Sequence, residues 1–233
     1  MVMSMRKIIK FFLIVFMLFG FSYYISNRIA RKIDSYKDVS AIIGRRIIID
    51  PGHGGKDNGA CRDEVMEDEI NLHISSYLYE YCVDELAGVY MTRTGDYDLA
   101  SLYAPNRKQE DLRKRVEMIN NFDADIFVSI HINAINNESV HGPMVYYRKN
   151  DDDSKILASN ISKQLNDLTK LDKSIHEEDY YLFKNTNKIG VLIECGFISN
   201  SNERANLIEP TYQQKLAKAI YDGMVSYFEK IKI

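Results

Sequence analysis

Short apolar runs alternate with amphipathic stretches along most of the chain. The apolar runs predict strands, and several of them are apolar throughout, as in strands covered on both faces; they occupy residues 45–49, 88–92, 125–130, 144–147 and 191–193. Apolar residues at helical spacing predict helices over residues 67–86, 111–121, 154–168, 203–208 and 211–231. A polar stretch over residues 94–110 predicts a loop.

This alternation of strands and helices predicts the fold class. We expect an α/β fold in which a mostly parallel sheet is flanked by helices in three layers. The chain has 233 residues, of which 45% are hydrophobic, so it is long enough and apolar enough for one domain with a real core. We expect a single catalytic domain over residues 44–233.

The N-terminus has a different pattern. Three basic residues precede an apolar run over residues 11–25, which is typical of an export signal. No clean small-residue cleavage site follows the run. We therefore expect residues 1–27 to form an uncleaved membrane anchor rather than a cleaved signal, followed by a polar linker over residues 28–43. The rest of the chain would then work outside the cytoplasm.

Charge and cysteine content argue against three classes of protein. The formal net charge is −3, so the chain lacks the basic surface typical of a nucleic-acid-binding protein. The three cysteines, Cys61, Cys82 and Cys195, are odd in number and have no repeated spacing. This pattern argues against a disulfide framework and against a cysteine-based zinc site, and we expect all three to be small hydrophobic residues.

Polar residues follow three of the apolar strands. Asp50 and His53 follow the first strand, His131 follows the strand at 125–130, and Glu194 follows the last. Ligands of open parallel sheets bind beyond the carboxyl ends of the strands, so these side chains can converge. A zinc hydrolase needs such residues, because its metal takes three protein ligands and a water, and a further carboxylate moves protons.

The third protein ligand is not defined by spacing. Four acidic residues lie at the start of the first predicted helix, and each is a candidate: Glu64, Glu67, Asp68 and Glu69. Asp50 is predicted to orient a ligand or the turn that carries His53. The remaining histidines, His73 in a helix and His141 and His176 in regions that resemble loops, have no partner pattern and are predicted to be structural.

Six segments together resemble one family. In order they are "IIIDPGHGGKDNGA", "EDEINL", "MTRTGD", "LRKRVEMIN", "ADIFVSIHINA" and "VLIECGFISNSNE". They resemble the zinc-dependent N-acetylmuramoyl-L-alanine amidases of the amidase-3 family, over roughly residues 45–230. Two segments depart from the family pattern, residues 61–66 and 188–190, and neither includes a candidate site residue.

The resemblance implies an activity and a set of site residues. It implies one zinc ion held by His53, Glu67 and His131, with Glu194 as the catalytic residue. It also implies hydrolysis of the amide bond between N-acetylmuramic acid and L-alanine in peptidoglycan. We expect Gly54 and Gly55 to keep side chains away from the metal.

A narrower resemblance concerns the biological role. A short exported chain with "GPMVYY" after the second histidine resembles the CwlD-type amidases of the spore cortex. That resemblance implies that the enzyme catalyses the first step of muramic-δ-lactam formation in the intermembrane cortex space. The lactam in turn permits germination. One alternative is a vegetative amidase that acts in cell separation. The other is a different zinc hydrolase, such as a peptidase or a deacetylase. Expected partners are peptidoglycan glycan strands with stem peptides and the membrane; an accessory protein is not readable from the sequence.

Overall fold

The computed structural model describes residues 40–231 and six positions nearer the N-terminus, residues 19, 20, 22, 23, 25 and 26. These six positions are helical and exposed. Most of the predicted anchor and of the predicted linker therefore lies outside the described residues. Within the described part of the chain, no helix is both long enough and apolar enough to cross a membrane.

The compact unit begins at Ala41, three residues before the predicted boundary at residue 44. Ala41 and Ile42 are both buried in the main hydrophobic core, with 3% and 0% of their surface exposed. The predicted linker therefore ends too late, because its last apolar residues belong to the folded unit.

A six-stranded sheet forms the centre of this unit. In spatial order its strands are β4 (Gly88–Met91), β1 (Arg46–Pro51), β5 (Ile126–Asn133), β8 (Ile189–Phe197), β6 (Met144–Arg148) and β7 (Ile175–Glu178). The first four are mutually parallel, β6 is antiparallel to β8, and β7 is parallel to β6. A separate two-stranded hairpin contains β2 (Cys61–Arg62) and β3 (Val65–Met66).

Helices cover both faces of the sheet. They are α1 (Glu67–Asp84), α2 (Arg107–Asn121), α3 (Asp152–Thr169), α4 (Tyr181–Asn185), α5 (Ser201–Leu207) and α6 (Pro210–Lys230). Helices α1, α3 and α6 pack in one core, and α2 and α4 pack in a second core on the opposite face. The predicted three-layer α/β fold with a mostly parallel sheet is confirmed.

The side chains of β1 show why its sequence is apolar throughout. Ile47 and Ile49 lie in the larger core, whereas Ile48 lies in the smaller core on the opposite face. Successive residues of a strand point to opposite faces, so a strand covered on both sides needs apolar residues at every position. The same alternation in β5 and β8 decides which polar side chains share a face at the strand ends.

Several predicted boundaries differ from those observed. Strand β8 extends well beyond residues 191–193, so Glu194 lies inside a strand rather than after it. Helix α2 begins four residues earlier than residue 111, because the Asn106 side chain accepts a hydrogen bond from the Gln109 N–H and caps the helix. Strand β7 and helix α4 are absent from the prediction, and His176 lies in β7, not in a loop.

Candidate metal centre

Four elements bring the predicted site residues to one edge of the sheet. His53 lies in the turn after β1, Glu67 is the first residue of α1, and His131 and Glu194 lie near the carboxyl ends of β5 and β8. The backbone of His53 is in the left-handed region, with φ of 59°. A non-glycine residue in that region is uncommon, and such strain is concentrated at functional sites.

His53, Glu67 and His131 form a close cluster. Glu67 Oε1 lies 3.3 Å from His53 Nε2 and 3.0 Å from His131 Nδ1. The two imidazole rings are 5.1 Å apart and nearly perpendicular. One potential ligand atom from each residue lies within 4.8 Å of the other two, so the three side chains could hold a metal ion.

The two distances from Glu67 Oε1, 3.0 and 3.3 Å, are close to those between neighbouring ligand atoms of zinc. Ligand bonds of roughly 2.0–2.2 Å in a tetrahedral site place the ligand atoms roughly 3.3–3.6 Å apart. Two neutral imidazoles and one carboxylate form a donor set typical of catalytic zinc, and three ligands leave a fourth position open. The residues present therefore fit the zinc ion that the sequence resemblance implies.

Further contacts hold the Glu67 carboxylate in place. Its Oε2 accepts a hydrogen bond from the Ala60 N–H at 2.8 Å, and its Oε1 accepts bonds from the Ile132 N–H and Asn71 Nδ2, both at 3.2 Å. Burial alone would raise the pKa of Glu67, but hydrogen bonds from His131 and His53 hold it far below its usual range. Glu67 is therefore an oriented anion.

Asp57 fixes the orientation of His53. Its Oδ2 lies 3.0 Å from His53 Nδ1, so the opposite ring nitrogen, Nε2, faces Glu67. Burial would lower the pKa of His53, but the Glu67 and Asp57 carboxylates raise it to about 9. A carboxylate behind a ligand histidine is a common arrangement at metal sites, because it fixes the ring and increases its basicity.

Glu194 lies beside the cluster but does not belong to it. It pairs in register with His131 across β5 and β8, so both side chains are on the face covered by α2 and α4. Its Oε2 is shielded from solvent and has no hydrogen-bond partner among the residues that the structure describes. Burial raises the pKa of Glu194 to about 7, against the opposing effect of His131. Such a carboxyl group can exchange a proton near neutral pH.

Asp50 acts on the turn and not directly on a histidine. It is fully buried, and it accepts hydrogen bonds from Thr92 Oγ1, Ser129 Oγ and Arg115 Nη1 at 2.6–2.8 Å. Burial opposes its ionisation, but Arg115 and the two hydroxyl groups hold its pKa below the usual value. The same arginine donates to the carbonyl oxygens of Pro51 and His53, both at 2.6 Å.

A second buried arginine completes the support of this turn. Arg93 donates to the carbonyl oxygens of Pro51, Gly52 and Asp68 at 2.8–3.0 Å. The two guanidinium groups thus satisfy the backbone of the turn that carries His53 and connect it to the start of α1. The segments "MTRTGD" and "LRKRVEMIN" contain these arginines, but their sequence pattern alone assigns them no role.

The glycines nearest the cluster are Gly52 and Gly59. A Cβ atom on Gly52 would lie 2.2 Å from His131 Cε1, and one on Gly59 would lie 2.5 Å from Glu67 Oε2. At Gly54 and Gly55, by contrast, a Cβ would meet the backbone of Tyr97 and Asp98. The expectation that Gly54 and Gly55 protect the metal position is therefore wrong, because they make room for a neighbouring loop.

The other candidate ligands lie elsewhere. Glu64 and Glu69 are exposed, and the buried Asp68 lies outside the cluster. Cys195 packs in the core on the opposite face from Glu194, and Cys61 is exposed. The three remaining histidines are also outside the cluster: His73 and His141 are exposed, and His176 is half-buried with its ring 5.5 Å from that of Tyr146.

This fold and this cluster together define a class of protein. An α/β sheet with two histidines and a carboxylate gathered beyond its strand ends is the arrangement of a single-metal hydrolase. Residues 47–226 match the Amidase_3 family model, described as N-acetylmuramoyl-L-alanine amidase. The chain belongs to this family of amidases, and the family resemblance of the six sequence segments is confirmed.

Individual relatives agree with the family match. The germination-specific N-acetylmuramoyl-L-alanine amidase of Bacillus subtilis is 38% identical over 236 residues, covering 96% of this chain and 97% of the relative. The amidase LytC of the same species is 31% identical over 91% of this chain but only 40% of its own length. The CwlD amidase of Clostridioides difficile, solved with the GerS lipoprotein, superimposes with a TM-score of 0.78 at 36% identity, covering 80% of this chain and 100% of that one.

Proposed function

We propose that this chain is a zinc-dependent amidase of the spore cortex, with His53, Glu67 and His131 as the zinc ligands and Glu194 as the catalytic carboxylate. The observation that carries the proposal is the cluster of these three side chains beside Glu194, whose Oε2 has no partner among the described residues. A bound zinc ion would acidify a water molecule and polarise the scissile carbonyl.

The chain's own residues then move the protons. Glu194 takes a proton from the attacking water and passes it to the nitrogen of the leaving L-alanine. Because burial raises its pKa, Glu194 can hold the proton taken from water until the leaving nitrogen accepts it. Asp57 keeps His53 oriented, and Asp50 and Arg115 hold the turn in place.

The proposed substrate is the amide between N-acetylmuramic acid and L-alanine in cortex peptidoglycan. Hydrolysis there is the first step in forming muramic-δ-lactam, which permits germination. The support is the germination-specific relative, which matches this chain over almost the whole length of both proteins. The match to LytC, whose name carries no reference to germination, covers less than half of that protein.

A pair of variants tests the assignment of the site. Glu194→Gln is expected to keep its zinc and to lose at least about 100-fold in amidase activity, because it removes the proton acceptor. His131→Ala is expected to lose both zinc and activity. Zinc content by mass spectrometry and release of peptide from muramoyl-peptides are the measurements, and retained activity in Glu194→Gln would disprove the catalytic role.

A cellular experiment tests the biological role. Spores of a strain without this protein are expected to lack muramic-δ-lactam, as measured by chromatography of digested cortex. Spores that keep normal muramic-δ-lactam, produced by cells that remain in chains, would instead assign the protein to vegetative cell separation. Expression of the wild-type chain in this strain should restore the lactam, whereas expression of the Glu194→Gln variant should not.

Location and partners complete the proposal. We propose that residues 1–27 export and anchor the chain, that the residues from 28 to 40 separate the anchor from the domain, which begins at Ala41, and that the enzyme acts outside the cytoplasm. Relatives named as uncharacterized or probable cell wall amidases, from Bacillus anthracis and Staphylococcus epidermidis, support the extracytoplasmic site. Because the structural neighbour was solved with a lipoprotein, we also propose an accessory protein partner, which co-purification from sporulating cells would test.

A further inference from the structure

The sheet face that carries Glu194 is covered unevenly. The core that α2 and α4 form on this face contains buried residues of β1, β5, β8 and β6 but, in the part of the chain that the structure describes, none of β7. Strand β7 presents His176, which is half-buried, and Glu178, which is exposed, to this face. The face is therefore partly open to solvent between Glu194 and the β7 edge of the sheet.

Four side chains extend from Glu194 across this partly open area. Met144 is the direct cross-strand neighbour of Glu194 in β6, and Tyr146 lies two residues further along the same face. His176 is in turn the neighbour of Tyr146 in β7. Tyr180, at the start of α4, places its ring edge-on to Tyr146 with 5.5 Å between the ring centroids. We call these four residues the aromatic shelf; adjacent strands lie roughly 4.8 Å apart, so the shelf extends roughly 10 Å from Glu194.

Tyr146 holds the other members of the shelf in place. It is buried, its ring also lies 5.5 Å from that of His176, and its hydroxyl group donates to Met144 Sδ at 3.4 Å. Met144, His176 and Tyr180 are only half-buried, so each keeps part of its surface available to a ligand. Ligand sites are lined mainly by apolar and aromatic side chains that are already in position, and this row continues directly from the candidate catalytic carboxylate.

The charges around the shelf are balanced or negative. Burial raises the pKa of Tyr146, and the carboxylates of Glu194 and Glu178 raise it further, so the charges that act on this ring are negative. The basic residues at the outer end of the shelf each have an acidic residue beside them, in the pairs Arg148 with Asp151, Lys184 with Asp179 and Lys149 with Glu178. The shelf therefore suits an uncharged ligand better than an acidic one.

One part of the proposed substrate has these properties. In N-acetylmuramoyl-L-alanine the carboxyl group of the muramic acid is consumed in the amide, so the glycan is uncharged, whereas the stem peptide keeps at least its C-terminal carboxylate. Sugar rings also have an apolar face of C–H groups that packs against aromatic rings. Only the lactyl group separates the muramic ring from the scissile carbonyl, so that ring has to lie close to Glu194 and the metal cluster.

We infer that the aromatic shelf binds the glycan strand, with the muramic ring near Met144 and the next sugar against His176 and Tyr180. This inference rests on the proposed amidase function and deepens it, because it assigns the side of the site on which the sugars lie. The stem peptide then extends from the scissile bond in the opposite direction, towards β1. His176 and Tyr180 are specificity residues, and Tyr146 is a positioning residue that acts through them.

Two substrates that differ only in glycan length test the shelf. The full-length, zinc-loaded enzyme is assayed on an N-acetylmuramoyl tripeptide with one sugar and on the same tripeptide carried by a chain of four sugars. The wild type should have the lower KM for the longer glycan. Tyr180→Ala should raise that KM about three- to tenfold, as for the loss of one aromatic contact, and the KM for the one-sugar substrate by less. Tyr180→Phe keeps the ring and should keep the preference.

The positioning role of Tyr146 is tested with the same two substrates. Tyr146→Leu removes the ring that contacts His176 and Tyr180 and should reduce the preference for the longer glycan, with little change in kcat. Tyr146→Phe keeps the ring and should restore the preference. A fall in kcat on both substrates without a change in preference would show that Tyr146 supports only the fold.

An exposed tyrosine on the other side of the sheet is the matched control. Tyr79 lies in α1, which packs on the opposite face from Glu194, and 38% of its surface is exposed. Tyr79→Ala should therefore have wild-type KM values for both substrates. Urea unfolding shows whether each variant is folded. If Tyr180→Ala is not, His176→Ala replaces it, with the same expected loss of preference.

The outcomes separate this inference from the proposed function. A wild type without preference for the longer glycan, or a Tyr180→Ala variant that raises both KM values equally, would overturn the shelf while leaving the amidase intact. If the wild type cleaves neither substrate, calorimetric binding of the four-sugar chain without peptides decides the question. Binding that Tyr180→Ala weakens supports the shelf even then, whereas no binding, or binding that this variant leaves unchanged, overturns it.

Discussion

At the scale of single residues, Asp57 explains how the ring of His53, a proposed zinc ligand, is held in one orientation. Its carboxylate lies 3.0 Å from His53 Nδ1 and leaves Nε2 for the cluster. Together with Glu67 it raises the pKa of His53 to about 9. Because a metal binds the neutral imidazole, zinc must displace a proton from His53, and zinc affinity should increase as the pH rises towards 9.

The Asp57→Asn variant tests this role. We expect its zinc affinity at pH 8 to fall about 10- to 100-fold, the usual effect of removing a hydrogen-bond partner behind a ligand histidine. The pKa of His53 should also fall, so the pH dependence of zinc binding should shift to lower pH. Chelator competition at several pH values measures both effects.

The exposed Asp123 provides a control for this substitution. It lies before β5, at the opposite end of that strand from His131, and pairs with Arg46. Asp123→Asn should bind zinc as the wild type does at every pH. If Asp57→Asn did the same, Asp57 would have no part in positioning His53.

The residue scale also shows what the sequence could predict about the site. Two histidines and Glu194 could be identified, because each follows an apolar strand. Glu67 could not be separated from its acidic neighbours, because the choice depends on where α1 begins and on the Ile132 N–H that β5 presents to it. Asp57 was not predicted because its contact depends on the left-handed turn at His53.

At the scale of elements, the buried pair of Asp50 and Arg115 connects β1 to α2. Both side chains are almost fully buried, and their 2.8 Å contact lies between a strand and a helix that are far apart in sequence. Breaking such a pair leaves an uncompensated buried charge, which is costly. The pair therefore stabilises the turn that carries His53.

The pH dependence of unfolding follows from the lowered pKa of Asp50. A carboxyl group with a lower pKa in the folded state binds fewer protons there than in the unfolded state. It therefore contributes stability above its unfolded pKa of about 4, and that contribution is lost as the pH falls below about 4. Asp50→Asn should destabilise the protein at neutral pH by on the order of 3 kcal/mol.

Chemical denaturation at a series of pH values measures this effect. The difference in unfolding free energy between wild type and Asp50→Asn should shrink between about pH 5 and pH 2. Asp172→Asn, at an exposed loop position, is the control and should change little at any pH. A difference that stays constant with pH would show that Asp50 does not stabilise the fold through its charge.

Some helices and strands could be predicted from the sequence, and others could not. Long apolar or amphipathic segments were identified, because burial on one or both faces imposes a period on the sequence. Strand β7 and helix α4 were missed, because the segments "IHEE" and "YLFKN" are too short to show a period of apolar residues. Strand β8 extends past the predicted 191–193 because its ladder with β5 continues to Phe197, which no local sequence signal indicates.

At the scale of the whole molecule, the folded unit begins within the segment predicted to be a linker. Ile42 has no exposed surface and packs in the core with α1, α3 and α6. The Gly44 N–H also donates to the Leu86 carbonyl at 3.1 Å, which ties this segment to the end of α1. Residues 41–44 therefore belong to the structure that supports the site, although they lie outside the family match at 47–226.

Two truncations that differ by only four residues should consequently behave differently. A chain beginning at Ala41 keeps Ile42 and should fold with the stability of the complete domain. A chain beginning at Arg45 loses it and should be less stable by about 2–5 kcal/mol, the usual cost of removing a large buried aliphatic side chain. Thermal and urea unfolding measure the difference, and Ile42→Ala in the longer chain should reproduce most of it. If both truncated chains unfolded at the same urea concentration, the domain would begin at residue 44, as the sequence pattern alone predicts.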